Sequence, residues 1–148
     1  MLEDRSSLFK IEWYASLDGI MCFNAYDAEH NWVHLGKVIV DVKNVEYERY
    51  KHLCNGNKLA KIVRVETDSE YCGWGVATEL LKEVIRIYKD FNLYLLCHPM
   101  PRGHYDESHK TVKDLRRFYG KLGFVPCGEL LPTMIRKASL PNSWWRLI

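Results

Sequence analysis

The sequence lacks long apolar runs and blocks of like charge. Its longest apolar stretches, such as residues 93–97, fall far short of the roughly 20 residues that a membrane span needs. The net charge is only +2, so the composition gives little support for a nucleic-acid partner. The first residues lack the basic and apolar regions of a secretory signal peptide. We therefore expect a cytoplasmic protein with no membrane span, and a domain that binds or modifies nucleic acid is the least favoured alternative.

The sequence also lacks any C-x-x-C pair. Its five cysteines are an odd number and stand far apart, which is untypical of a disulfide framework or a zinc cluster. Metal sites usually combine histidine with cysteine or carboxylate at tight spacing on rigid elements. We therefore interpret the histidines of the polar loop 98–109 as a solvated wall that faces a substrate. Free thiols in a reducing compartment and no metal are expected.

Apolar residues are plentiful, at 47% with 13% aromatic, which is enough for the core of one domain spanning residues 1–148. Short apolar or alternating segments bounded by turn residues predict strands. These segments are 9–16, 20–26, 35–42, 59–67, 93–97, 124–127 and 131–137.

Helical patterns lie between these strands. A short polar and aromatic segment at 45–53 is a candidate helix, and apolar residues at three- and four-residue intervals predict two longer ones. The first stripe is Val76, Leu80, Leu81, Val84, Ile85 and Tyr88, and the second is Val112, Leu115, Phe118, Tyr119 and Leu122, ended by Gly123. The element order predicts a mixed α/β (α+β) domain with one sheet flanked by helices.

The most informative segment is 65–81, where a predicted strand passes through a glycine turn into the best predicted helix. A helix N-terminus has unpaired amides and a partial positive charge, and Gly73 and Gly75 let a phosphate approach the backbone closely. The segment lacks the lysine of a Walker P-loop, and Thr78 stands where a dinucleotide fingerprint has its third glycine. The pattern therefore predicts an anion site of another kind.

Two motifs resemble the Gcn5-related N-acetyltransferase (GNAT) family. Segment 72–77, Cys-Gly-Trp-Gly-Val-Ala, is similar to the family's acyl-CoA loop, except that Cys72 stands where arginine or glutamine is usual. Segment 118–124, Phe-Tyr-Gly-Lys-Leu-Gly-Phe, is similar to the family's aromatic-Tyr-x-x-x-Gly-Phe helix end. The resemblance covers roughly residues 59–137, and the earlier strands fit only in order and length.

The resemblance implies the GNAT-type acyl-CoA N-acyltransferase fold, a mostly antiparallel sheet splayed between its fourth and fifth strands. It implies acetyl-CoA, or another short acyl-CoA, as cosubstrate and a primary amine of a small molecule or protein as acceptor. The pantetheine arm would pair with Val65, Glu66 and Thr67. The pyrophosphate would bind the backbone amides of Gly73, Trp74, Gly75, Val76, Ala77 and Thr78.

The resemblance also implies catalytic roles. Tyr119 matches the tyrosine that protonates the leaving thiolate, although an aromatic at helical spacing is also typical of a core residue. For the base we favour Glu66, with Asp68, Glu12 and His98 left open, because Lys61 stands where some members carry glutamate. Many members of the family need no dedicated base.

Three alternatives stay open at this point. The departures at Lys61 and Cys72 are compatible with a GNAT-like module that binds CoA or a protein without turnover. Cys72 at a helix start could itself be a nucleophile, but no histidine lies near it in sequence, which favours a substituted loop residue. Both a monomer and a homodimer are compatible with the chain, and Trp144 and Trp145 could fold back on the sheet or form a dimer contact.

Overall fold

Seven strands and two α-helices make up the part of the chain that the structure describes. The computed structural model describes residues 8–16, 18–43, 58–71, 73–97, 111–127 and 133–138. The strands are β1 (Phe9–Ala15), β2 (Ile20–Asp27), β3 (His34–Asp41), β4 (Lys58–Thr67), β5 (Phe91–Leu96), β6 (Val125–Pro126) and β7 (Thr133–Arg136). The helices are α1 (Val76–Ile87) and α2 (Val112–Gly120).

All seven strands form one sheet, in the order β1-β2-β3-β4-β5-β7-β6. Strands β1 to β4 are an antiparallel meander. Strand β5 is parallel to β4 and antiparallel to β7, which also pairs with β6. Because a parallel pair needs a crossover, α1 connects β4 to β5 and covers one face of the sheet. The sheet is therefore mixed and mostly antiparallel, as expected.

Helix α1 buries its apolar stripe against that face of the sheet. Its 3.6-residue period brings Val76, Leu80, Leu81 and Val84 to one side, and all four side chains are buried. Each fully buried aliphatic side chain of this size contributes about 1.5–3 kcal/mol relative to an exposed one. The same core includes residues of β2 to β5 and of α2.

Helix α2 is short, and its start is defined by a capping box. The Asp114 amide donates to Thr111 Oγ1, and the Thr111 amide donates to Asp114 Oδ2, both at 3.1 Å. These two bonds satisfy amides that a helix start otherwise leaves unpaired. At the other end Gly123 has φ 96°, and the Phe124 amide returns to the Tyr119 carbonyl at 3.2 Å. Caps at both ends thus hold Tyr119 in place on a helix of nine residues.

The strands and both long helices predicted from the sequence are confirmed, with ends that differ by a few residues. The mixed sheet of the implied GNAT-type fold is also confirmed. The candidate helix at 45–53 and the loop 98–109 lie outside the described residues, as do Trp144 and Trp145. In the described ranges, no helix combines the length and apolar character that crossing a membrane requires.

Candidate functional site

Strands β4 and β5 separate after a short paired segment. Their register runs from Lys58 opposite Phe91 to Lys61 opposite Tyr94, after which both strands continue without pairing to each other. Residues 62–67 of β4 therefore have β3 on one side and, among the described residues, no strand on the other. A strand edge of this kind offers backbone donors and acceptors to an extended ligand.

A β-bulge in β4 accounts for this separation. Ile39 is opposite Arg64, whereas the next residue, Val40, is opposite Ile62, so Val63 has no partner in the β3–β4 register. A bulge bends its strand and increases the local twist. Because this one lies two residues beyond Lys61, it turns β4 away from β5 at the point where pairing stops. The bulge was not predicted from the sequence.

Gly36 of β3 lets the open part of β4 and the start of α1 lie close to β3. A Cβ atom at this position would lie 2.5 Å from the Glu66 carbonyl oxygen and 3.0 Å from Val76 Cγ1. No real Cβ tolerates the first of these distances without a shift of the backbone. Sequence reasoning missed this residue, because nothing in its local pattern distinguishes it from an ordinary strand glycine.

We expect Gly36→Ala to destabilise the protein by about 1–3 kcal/mol, the usual cost of overpacking, and to weaken any ligand binding at β4. Urea unfolding measures the first effect. Gly120→Ala is the matched control, because a Cβ there meets nothing within 4 Å and alanine favours a helix over glycine. Equal stability of the two variants would contradict the close approach of β3 and β4.

A glycine turn connects the open end of β4 to α1. After a 3₁₀ turn at Ser69–Tyr71, Gly73 and Gly75 adopt φ values of 90° and 85°, in the left-handed region that favours glycine. The Trp74 amide donates to the Tyr71 carbonyl at 3.2 Å, and the two rings meet edge to face. The turn is therefore held by local backbone bonding rather than by side-chain caps.

The N-terminus of α1 carries amides that have no acceptor within the helix. Gly75 is the N-cap and has no side chain to accept from them, and the first intrahelical bond runs from the Glu79 amide to the Gly75 carbonyl at 3.1 Å. The amides of Val76, Ala77 and Thr78 precede that bond. Together with the helix dipole they form a site suited to a phosphate group.

Tyr119 lies in the core near the end of β5. Its side chain is only 7% exposed, and its ring contacts those of Phe118 and Phe124 edge to face. Burial, with a smaller contribution from the nearby Cys97 thiol, raises the pKa of Tyr119 well above its usual value. Among the described residues the Tyr119 hydroxyl has no hydrogen-bond partner. The phenol is therefore neutral.

Cys97 links β5 to α2 and thereby places Tyr119. It directly follows β5, is fully buried, and its Sγ donates to the Val112 carbonyl at 3.8 Å. Val112 begins α2. Since burial also raises the pKa of the Cys97 thiol, this thiol stays protonated and acts as a small core residue. Tyr119 thus lies near Cys97, the residue that directly follows β5.

Glu66 lies on the open part of β4 and points away from α1. Its neighbour Val65 packs on the core, and its register partner Lys37 lies on the outer face. Glu66 Oε2 is 3.8 Å from Lys37 Nζ, and Glu66 Oε1 is 3.1 Å from Arg64 Nη1. The carboxylate therefore has two cationic partners, which the sequence did not reveal. Glu66 lies on the open part of β4, and Tyr119 lies in the core beside Cys97, which follows β5.

The other candidate bases lie in different surroundings. Asp68 Oδ2 is 3.9 Å from His34 Nδ1, and Glu12 pairs with Lys10 at 3.2 Å on the far edge strand β1. His98 and Cys72 lie outside the described residues. Lys61, where some GNAT members carry glutamate, places its Nζ 5.9 Å from the Tyr94 ring centroid.

Among the described residues, no group of three or more His, Cys, Asp or Glu side chains is arranged to hold a metal ion. The described elements of the candidate site are thus the open edge of β4, which carries Glu66, and the amides at the start of α1, with Tyr119 near the end of β5.

No family model and no curated protein matches the chain, but solved structures do. It is similar to a histone acetyltransferase HPA2 and related acetyltransferase from Corynebacterium glutamicum, at 20% identity and a TM-score of 0.56, over 84% of this chain and 67% of that one. It is similar to AtaTR bound with AcCoA, at 14% identity and a TM-score of 0.53, over 79% and 66%.

A third similar structure is the PaiA N-acetyltransferase from Thermoplasma acidophilum in complex with coenzyme A. Identity is 19% and the TM-score 0.50, over 80% of this chain and 61% of that one. The chain thus spans only about two thirds, or less, of the length of these three proteins. At such identities the likeness shows the fold alone. The described sheet, with its separation of β4 from β5, has the fold of the GNAT acetyltransferases.

Proposed function

We propose that this protein is an acyl-CoA-dependent N-acyltransferase. It transfers an acetyl or other short acyl group to a primary amine, either of a small molecule or of a protein lysine or N-terminus. The observation that carries the proposal is the continuity of two features, the open edge of β4 and the glycine turn that begins α1. The open edge suits an extended chain that carries amides, and the glycine turn suits a phosphate. Acyl-CoA contains both of these groups.

The described residues fit such a cosubstrate. The pantetheine arm carries amide groups, which pair with backbone at Val65, Glu66 and Thr67 on the open edge. The pyrophosphate is held by the amides from Gly73 through Thr78 at the positive end of α1. Two proteins of the same fold, PaiA and AtaTR, have been seen with coenzyme A and AcCoA, which supports this assignment.

In a direct displacement, the protein must donate a proton to the leaving sulfur and accept a proton from the attacking amine. The amine nitrogen forms a bond to the thioester carbonyl carbon, and the carbon–sulfur bond breaks. Tyr119, neutral because it is buried, donates its proton to the leaving sulfur. Glu66 accepts the proton that the amine loses, directly or through water. This assignment requires the Glu66 carboxylate and the Tyr119 hydroxyl to reach one thioester bound between β4 and β5.

A second candidate function is binding of CoA without turnover. Tyr119 is almost fully covered, and Glu66 already has Lys37 and Arg64 as partners. If neither group reaches the thioester, the same fold is a binding module. The two proposals share the coenzyme site and differ only in amine-dependent release of free CoA.

Titration calorimetry with acetyl-CoA, followed by a thiol-release assay over a panel of amines, tests both. We expect saturable binding and amine-dependent CoA release. Acetyl-pantetheine, which lacks the pyrophosphate, is the matched ligand control and should bind much more weakly. Binding without release would favour the module, and the absence of saturable binding would contradict the coenzyme site itself.

A further inference from the structure

Strand β1 forms an edge of the sheet, and exposed apolar side chains lie on both of its faces and at Leu8, directly before it. Its register with β2 is continuous, with no bulge. Leu8, Trp13 and Tyr14 are 52%, 49% and 62% exposed. The strand contains no proline. Proline and bulges are devices by which proteins protect an edge from pairing, and an exposed apolar edge without them is suited to another strand.

The charges of β1 are arranged so that the strand complements itself. Lys10 and Glu12 lie on the face away from α1, on either side of Ile11. In an antiparallel pair of two copies about a two-fold axis at Ile11, Lys10 of each copy is opposite Glu12 of the other. The same arrangement places Leu8 opposite Tyr14, and Phe9 opposite Trp13. In each of these pairs, the two side chains lie on the same face of the sheet.

Neighbouring registers are electrostatically unfavourable. The two-fold axis must pass through a residue, because otherwise core-facing side chains of one copy would oppose outward-facing side chains of the other. An axis at Lys10 places two lysines directly opposite each other, and an axis at Glu12 does the same with two glutamates. Like charges in directly opposite positions destabilise a strand pair. Of the three axes at the centre of β1, the charges therefore favour the one at Ile11, which is the one that pairs each Lys10 with a Glu12.

We propose that two copies of this chain associate through antiparallel pairing of β1, centred on Ile11, so that their sheets become continuous. The partner is thus a second copy of the same chain. This inference is independent of the proposed acyl transfer, since β1 and β4 are separated by two strands in the sheet.

Charge reversal tests the proposal. Lys10→Glu and Glu12→Lys each convert two attractive pairs between chains into two repulsive ones, and each is expected to weaken dimerisation on the order of thirtyfold. An equal mixture of the two variants should dimerise again, because every lysine then faces a glutamate. Sedimentation velocity over a concentration series measures association, with one variant tagged so that mixed dimers are identified by pull-down.

The mixture separates this effect from a loss of stability. Each single variant also loses the ion pair between Lys10 and Glu12 within its own chain, which is 3.2 Å long, and mixing cannot restore that pair. Lys89→Glu, an exposed reversal away from β1, should dimerise like the wild type. A wild-type chain that stays monomeric, single variants that dimerise normally, or a mixture that stays monomeric would each overturn the proposal.

Discussion

Replacing Gly75 with aspartate is expected to abolish measurable acetyl-CoA binding. Gly75 is the N-cap of α1, with φ 85° and ψ 15°, so a carboxylate there would stand among the amides proposed to hold the pyrophosphate. At about 4 Å and an effective dielectric constant near 20, two unit charges repel by about 4 kcal/mol, roughly a thousandfold in affinity. Titration calorimetry with acetyl-CoA measures the loss.

Gly75→Asn is the matched control for this experiment. Asparagine and aspartate have the same size, both tolerate the left-handed region better than other residues, and both are favoured N-cap residues. They differ in charge, so Gly75→Asn should retain much more affinity than Gly75→Asp, while the loss of thermal stability that the positive φ imposes should be the same for both. Equal affinities for the two variants would show that no anionic group binds near Gly75. The proposed position of the coenzyme site would then be wrong.

Replacing Tyr119 with phenylalanine is expected to lower kcat by roughly a hundredfold or more, the usual contribution of a positioned proton donor. Affinity for acetyl-CoA should change little, because the ring stays in place between Phe118 and Phe124. The buried hydroxyl has no partner among the described residues, so its removal breaks no hydrogen bond within them, and we expect the stability of the fold to be kept. Steady-state kinetics and calorimetry together separate the two effects.

Tyr88→Phe is the matched control for Tyr119→Phe. Tyr88 is equally buried, and burial raises its pKa as well, but it lies at the C-terminal end of α1, remote from the proposed coenzyme site. It should leave kcat unchanged. If both variants kept full activity, Tyr119 would be a packing residue, and if both lost it equally, the effect would be structural.

The same tyrosines predict how stability depends on pH. In the unfolded chain a tyrosine loses its proton near pH 10.0, whereas the native state holds the proton to higher pH because burial disfavours the charged phenolate. The native state therefore binds more protons above that pH, and stability falls as pH rises. Urea unfolding at alkaline pH should show a smaller fall for Tyr119→Phe than for the wild type.

Much of the fold could be predicted from local patterns. Strands and helices follow from apolar periods of two and 3.6 residues, which depend only on neighbouring residues. Gly73 and Gly75 were predicted to form a turn before α1, and both have positive φ. The apolar stripe of α2, which includes Tyr119, was also predicted from the sequence. Each of these features depends only on residues that are close together in the sequence.

The sequence by itself thus determined the elements and their order, and it predicted an anion site at the start of α1. Only the tertiary structure decided how these elements pair and pack, and therefore which side chains become neighbours. Register places Lys37 beside Glu66, the bulge at Val63 separates β4 from β5, and burial beside Cys97 keeps Tyr119 neutral. The physical reason is that register, bulges and burial depend on residues distant in sequence, whose mutual positions no local period encodes.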